Sequence, residues 1–410
     1  MARGDIATTF LRWAGLRSVS FRGYWLVTSL YLVIDAELSA FQLVFLGTAM
    51  ELTVLISEIP TGVMADTISR KWSIVISHVV MGAGMLITGL VTAFPALVVA
   101  QMLWGFGWTF SSGADVAWVT DELDDPLRID RVLTARARWQ QYGAAVGMVG
   151  FGVLAWRTDL STAIVVAGSM MVLLGLYVVV RFTEHEFEPI RENHWEESKS
   201  IFRRGFSLAR RDHEIMLVFA ATILINSGAE AFDRLYPKRL VDLGFPDEPD
   251  PIVWFTALGV VTLAVGALAL RIVEARIHGV GVARRVYAAA CFVGALGLII
   301  LAHAPNDVAG MVGVLLVGGV AWTVIRAVSV IWVNRRATSD VRATVQSFLG
   351  QVESIGEILG GLVMGVLAQA TSITVALTCS CAMVACAGLV VTRSHAGRDT
   401  GSALLGDTSA

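Results

Sequence analysis

The sequence predicts an all-helical polytopic membrane protein, with about twelve transmembrane helices arranged as two pseudo-symmetric six-helix bundles. Three observations carry that prediction. First, 55% of the 410 residues are apolar and only 16% are charged, against about 25% charged in soluble domains, and the mean hydropathy is +0.68. Second, long runs nearly free of Lys and Arg alternate with short basic clusters, a pattern of many spans rather than one anchor, each near the ~20 residues a bilayer requires. Third, the chain repeats itself. Trp108, Thr109 and Trp118 correspond to Trp322, Thr323 and Trp332, and residues 143–155 correspond to 356–368, at nearly the same offset. Two such matches in corresponding spans favour duplication of a six-helix unit.

In chain order, residues 1–21 form a cytoplasmic N-terminal segment. Phe10, Leu11, Trp13 and Leu16 among Arg3, Arg12 and Arg17 suit a short helix on the anionic leaflet, and a disordered start is the alternative. The N-terminal bundle covers 22–182, with spans at 21–34, 40–65, 73–92, 97–119, 139–155 and 161–180. Asp35, Glu37 and Ser39 mark an outer turn, and Phe94-Pro95 another. The fifth span presents Gly143, Gly147, Gly150 and Gly152, a small-residue face that lets a neighbouring helix come close. Residues 183–212 form a cytoplasmic linker with an amphipathic helix, because a segment of about thirty residues is too short for a folded soluble domain.

The C-terminal bundle covers 213–392, with spans at 214–232, 252–270, 286–302, 310–333, 342–368 and 373–392. Glu230, Asp233 and Arg234 close its first span on the outer side, as a local ion cluster or an outer gate. The tail, 393–410, is short, polar and expected to be disordered. Most of the 31 Lys and Arg lie on one side of this layout, which puts both termini in the cytoplasm of a multi-pass cell-membrane protein. The chain is expected to be monomeric in the lipid bilayer, with no nucleic-acid partner.

Cys291, Cys379, Cys381 and Cys386 lie inside apolar runs without metal-ligand spacing, so no metal and no cofactor is expected. There is no nucleotide-binding loop and no Ser, His and Asp arrangement confined to one leaflet. An enzyme and an ATP-driven pump are both disfavoured.

Where the second span ends, the chain reads Gly62, Asp66 four residues on, then the basic pair Arg70 and Lys71. This stretch resembles the cytoplasmic loop signature of the major facilitator superfamily, departing from it at Thr67 and Ser69. The approach, Glu58-Ile59-Pro60-Thr61-Gly62, is similar too, and the duplicated six-helix unit is the architecture the resemblance implies. It implies a secondary transporter with a central cavity, working by alternating access on a small-molecule substrate. Proton-coupled efflux of small amphipathic compounds or drugs is the leading reading, with a proton-linked transporter of a specific, anionic metabolite as the alternative. A non-transporting receptor or scaffold on a transporter fold is the reading from another class. Where drug and proton antiporters of the family carry an Arg in the fourth helix, this chain has Gln101.

An ionisable side chain in a span costs roughly 2.5–3.5 kcal/mol at its centre, so each one asks for a reason. Glu51 lies ~22 Å of helix from Asp66, near mid-bilayer, and shares a face with Glu58. Glu353 and Glu357 stack four apart on the eleventh span, near Gln346. The resemblance implies that the second and eleventh helices meet across the halves, which makes Glu353, Glu357 and Glu51 the proton-coupling candidates, with Glu58 a packing residue. Arg326 needs an acid or a watery cavity, and Asp115 or Glu353 is the expected partner. Arg326, Asp115, Trp108, Gln101 and Gln346 are the substrate-cavity candidates. Gly62, Asp66, Arg70 and Lys71 form the signature loop, and Asp66 is expected to meet the N-terminal dipole of the eleventh span. Asp121 and Glu122 stand opposite Arg335 and Arg336 in the repeat, which suggests a gate closed by pairing between the halves.

Overall fold

The computed structural model describes residues 3–187, 213–246, 248–276, 280–336 and 342–393; at 3–5, 213–214, 280–281, 333–336, 342–347 and 393 it describes the backbone alone. The described residues are helical, with no strand. The helices are α1 (Arg3–Ile34), α2 (Ala40–Thr67), α3 (Arg70–Leu90), α4 (Phe94–Ser111), α5 (Ala114–Leu123), α6 (Pro126–Arg157) and α7 (Leu160–Arg181), then α8 (His213–Asp242), α9 (Pro251–Glu274), α10 (Val280–Ala302), α11 (Asp307–Val314), α12 (Trp322–Arg336), α13 (Arg342–Ala370) and α14 (Ile373–Arg393). A π-helical segment, Leu315–Ala321, joins α11 to α12. Nine helical stretches among the described residues are long and apolar enough to cross a membrane. The other three predicted spans are α1 and α6, which each carry several arginines, and α4, which breaks at Ser112.

Short polar residues set the helix ends. Ser39 accepts from the amide of Gln42 while Gln42 accepts from that of Ser39, a reciprocal cap that starts α2. Ser69, Asp125, Asp159, Asp250 and Asn306 cap α3, α6, α7, α9 and α11 through their side chains. The predicted fourth span is two helices because Gly113 adopts φ +80°, a conformation that a Cβ would strain.

Close helix pairs recur in both halves. Gly143 and Gly147 of α6 lie against the backbone of α1 at Gly15 and Val19, and Gly356 and Gly360 of α13 lie against α8 at Ile223 and Ser227. A Cβ at any of these glycines would press into the neighbouring helix. These are the positions that the internal repeat aligns, so the duplicated sequence packs as a duplicated structure.

Two boundaries differ from the sequence expectation, and a third lies outside the described residues. The first helix begins at Arg3 and runs unbroken through residue 21. Phe10, Trp13, Ser20 and Tyr24 are fully buried along one face, so this segment is part of the bundle core rather than a separate surface helix. α8 continues through Pro237 to Asp242, which places Glu230, Asp233 and Arg234 within the helix and not at its end. The predicted linker helix falls on residues outside those described; from Phe182 to Phe187 the chain is non-helical.

The halves meet along one part of their length. Gly361 and Gly365 of α13 lie on Thr48 and Val44 of α2, Gly152 of α6 on Thr256 of α9, and Gly259 of α9 on Leu26 and Met148. Further along α2 and α13, the Ser354 hydroxyl donates to Glu51 at 3.1 Å, the last hydrogen bond between these two helices among the described residues. Beyond it, Gly62 and Gly350 each face open space. A cleft between the halves therefore opens toward the end that carries residues 62–71.

Candidate functional site

At the head of that cleft, α2, α8 and α13 gather the charged groups of the membrane interior. The Glu51 carboxyl hydrogen bonds with Glu357 across the halves as well as with Ser354. Two ionised carboxylates at that range would repel one another. Beside them, Arg234 Nε donates to Glu230 at 2.9 Å, and both side chains are largely buried. The pair fits because position 47 of α2 is glycine: its missing side chain leaves the space that Glu230 and Arg234 fill. Arg234 also lies over the Trp25 ring, 5.4 Å from its centroid. Asp233, one residue earlier, is exposed to the cleft.

The π-helical segment positions the next group. One extra residue in its turn advances all that follows by about 100°, carrying Arg326 of α12 toward the cleft. Arg326 and Glu353 line one small cavity, about 20 Å³, with Asn226, Tyr287 and Trp322. That is room for one water. Of the two partners expected for Arg326, Glu353 is beside it. On the facing wall, Phe21, Trp25, Trp104 and Trp108 form an aromatic cluster in which Trp104 and Trp108 stack at 5.8 Å and 7°. Arg22 of α1 is exposed between these walls, close enough to Arg326 for the two cations to repel.

Other candidates stand elsewhere. Asp115 does not meet Arg326: it is buried between Arg136, its hydrogen-bond donor, and Arg17, at 3.7 Å, inside the N-terminal half. The break at Gly113 turns Asp115 into the first turn of α5 and toward α1 and α6. Gln101 is buried behind Tyr24, to whose hydroxyl it donates at 3.1 Å, and does not line the cleft. Glu58 hydrogen bonds with Ser112 at the break between α4 and α5. The side chains of Gln346, Arg335 and Arg336 lie outside the described residues.

The signature loop closes on its own half. Asp66 pairs with Arg70 at 3.5 Å, and Arg70 also pairs with Asp121; the end of the eleventh span, the expected partner of Asp66, lies partly outside the described residues. Glu184 binds the Ser69 hydroxyl at 2.5 Å and the Lys71 amide at 3.0 Å. Glu122 accepts from the amides of His185 and Glu186 and from Thr183. Asp121 and Glu122, the two acids of the expected gate, are thus engaged within the N-terminal half in this conformation. Sequence reasoning missed Arg17 and Gly47; it named Glu230 and Arg234 as a local ion cluster, but at the end of a span and not within α8. The signal for Arg17 was its place on the face of α1 that also carries Trp13, Ser20 and Tyr24.

Residues 14–361 match the family model described as Major Facilitator Superfamily. The chain belongs to that superfamily. It is similar to an uncharacterized MFS-type transporter, YxaM, of Bacillus subtilis (strain 168), 18% identical over 371 residues that cover 88% of this chain and 89% of that protein. Among solved structures, the nucleoside transporter NupG superposes with a TM-score of 0.78 at 13% identity, covering 94% of this chain and 99% of that one. A bacterial homolog of the human lysosomal transporter Spinster, inward-facing and unoccupied, gives 0.68 at 14% identity and 95% of each chain. The peptide transporter POT gives 0.74 at 11%, covering 94% and 93%. At such identities the likeness shows the fold. The protein is a multi-pass membrane transporter of this family.

Proposed function

We propose that the protein is a proton-coupled secondary transporter that exports small amphipathic compounds by alternating access. The observation that carries this reading is the Glu51 and Glu357 pair, placed where the contact between the halves ends and the cleft begins. With a proton shared between them the two acids hold α2 to α13. Substrate entering the cleft from the cytoplasmic side releases that proton, and the two carboxylates then push the helices apart. For a like-charge pair at 4 Å the repulsion is on the order of 4 kcal/mol at an effective dielectric of 20, while moving a two-state equilibrium from 1:99 to 99:1 takes about 5.5 kcal/mol. One pair supplies most of the switch. A proton from outside restores the contact after the substrate leaves, which makes the exchange an antiport.

The wall formed by Phe21, Trp25, Trp104 and Trp108 supports a substrate with a flat apolar body, since aromatic rings stack on such groups. A second reading, transport of a specific anionic metabolite, is favoured by Arg22 and Arg326 repelling across the cleft, because an anion between them would relieve that repulsion.

The test is flux in proteoliposomes under an imposed pH gradient, with ethidium as the amphipathic probe and a sugar phosphate as the anionic one. Ethidium flux that follows the gradient and is lost in Glu357→Gln and Glu51→Gln is expected. Gradient-driven flux of the sugar phosphate alone, lost in Arg22→Gln, would favour the second reading. Flux indifferent to the gradient and to both glutamates would reject proton coupling, and probe binding without flux would point to a receptor.

A further inference from the structure

The cleft holds three charges that the Glu51 and Glu357 pair does not use. Arg22 of α1, Asp233 of α8 and Arg326 of α12 are all exposed, each within a helix of the bundle. Among the described residues, neither Arg22 nor Asp233 has an ion pair or a side-chain hydrogen bond. Arg326 stands within electrostatic reach of both, repelling Arg22 and attracting Asp233, and forms a salt bridge with neither Asp233 nor any other described acid. Charges kept inside a membrane protein at a cost face one another, a watery cavity or a ligand.

Their relative heights follow from the contact of α1 with α8. Tyr236 hydrogen bonds with Ser29, and Arg234 lies over the Trp25 ring at 5.4 Å. Both contacts give nearly the same register between two helices that run in the same direction. Asp233 is therefore level with Trp25, three residues or about 5 Å of helix from Arg22. Phe21 and Trp25 flank Arg22 in sequence and join Trp104 and Trp108 in the aromatic wall. One space thus presents two guanidiniums, a carboxylate about one turn away and a surface of aromatic rings. A cationic amphiphile would have a partner in Asp233 but would bring its charge toward two arginines. An anion would have the arginines and be opposed by Asp233. A molecule that carries both charges meets all three groups with the right sign.

We propose that the cleft takes a zwitterionic substrate, an amino acid or a derivative of one with a flat aromatic body. Its carboxylate lies between Arg22 and Arg326, its ammonium on Asp233 and its ring against the aromatic wall. This assignment rests on the reading of the cleft as the substrate path and not on the coupling by Glu51 and Glu357.

The test is binding of three fluorescent probes of matched shape to the full-length protein in detergent, read as saturable energy transfer from tryptophan to dansyl. Nε-dansyl-lysine carries both charges, dansylcadaverine lacks the carboxylate, and dansyl-aminocaproate lacks the ammonium. A contact between charged groups corresponds to about ten-fold in affinity or more, so dansyl-lysine should bind about ten-fold tighter than either of the others. That comparison uses the unaltered chain and needs no variant to fold. Asp233→Asn should bring dansyl-lysine down to the affinity of dansyl-aminocaproate while dansyl-aminocaproate itself binds more tightly. Arg22→Gln should bring it down to the affinity of dansylcadaverine while dansylcadaverine binds more tightly. A single-charge probe that binds the unaltered chain as well as dansyl-lysine does, a folded variant that weakens all three alike, or no energy transfer with any probe would overturn the proposal. Flux separates this failure from that of proton coupling. Gradient-driven flux of dansylcadaverine with no preference for dansyl-lysine would keep proton-coupled export and remove the zwitterion. Preferential binding of dansyl-lysine with flux indifferent to the gradient would keep the zwitterion and remove the coupling.

Discussion

The two bundles keep the same scaffold and spend their charges differently. In both, glycines at matched positions press the fifth helix of the unit against its first: Gly143 and Gly147 on α1, Gly356 and Gly360 on α8. In the N-terminal bundle, apart from Glu51 at the seam and Arg22 in the cleft, ions are tied within the bundle near the end that carries residues 62–71, as Arg17 with Asp115 and Arg136, and Arg70 with Asp66 and Asp121. In the C-terminal bundle they stand along the cleft and the seam, as Glu230, Asp233, Arg234, Arg326, Glu353 and Glu357. The offset that aligns Trp108 with Trp322 aligns Asp115 with Ser329 and Ser112 with Arg326. Each charge faces a serine in the other copy. Duplication retained the packing, which has few solutions, and released the polar positions to diverge into a structural half and a chemical half.

The sharpest way to break this comparison is to remove one acid from each half. Asp115→Ala leaves Arg17 buried beside Arg136 with no counter-charge, a loss of about 3–5 kcal/mol that should appear as a large fall in unfolding temperature in detergent. Glu357→Gln should leave that temperature nearly unchanged while abolishing proton-driven flux. If the two variants behave alike in both assays, the division between a structural and a chemical half is wrong.

A smaller effect is expected at the seam. Gly47→Val places a side chain where Glu230 and Arg234 now sit, an overpacking of about 1–3 kcal/mol that the halves relieve by parting. Distances measured between spin labels on α2 and α13 should then shift toward an outward-open population, with each bundle intact. An unchanged distance distribution would show that Glu230 and Arg234 yield locally and do not report on the seam.

The fold was legible because its signals are local. Apolar runs, capping residues such as Ser39 and Asp159, and repeated glycines each declare themselves within a few positions. The loop signature and the pairing of Glu51 with Glu357 were legible only through the family's architecture. What failed was local evidence that tertiary structure overrode. Glu230, Asp233, Arg234 and Pro237 together look like the end of a span, yet α8 continues, because Glu230 and Arg234 neutralise one another against Gly47. Arg17 looks like a surface residue until Asp115 and Arg136, about 100 residues further on, arrive to bury it. Asp115 and Arg326, matched in depth, were turned to different neighbours by two backbone irregularities, the break at Gly113 and the π-helical segment, neither of which hydropathy records.

In the signature loop, the charges lie nearer the surface than Asp115 and are correspondingly cheaper to remove. Arg70→Ala gives up pairs with Asp66 and Asp121, of which Asp66 is substantially exposed, so about 0–1 kcal/mol is expected. Its larger consequence should be on the rate of conformational exchange, read by single-molecule energy transfer between the bundles.

The smallest effect tests whether caps at the outer turns matter once the bundle is packed. Asp159 starts α7, and the Thr162 amide at 2.7 Å, with the Thr162 hydroxyl also at 2.7 Å, holds its carboxyl below the usual carboxylate range. A group whose pKa is depressed by folding contributes stability above its unfolded pKa, near 3.9, and loses that contribution as the pH falls through the lower, folded value. Asp159→Ala should therefore destabilise the first turn of α7 by about 0.5–1 kcal/mol at pH 7, seen as roughly two- to five-fold faster amide exchange there. The difference should shrink below pH 4 and vanish once the unaltered carboxyl is protonated. If instead it persists undiminished at low pH, the cap acts through its shape and not through its charge.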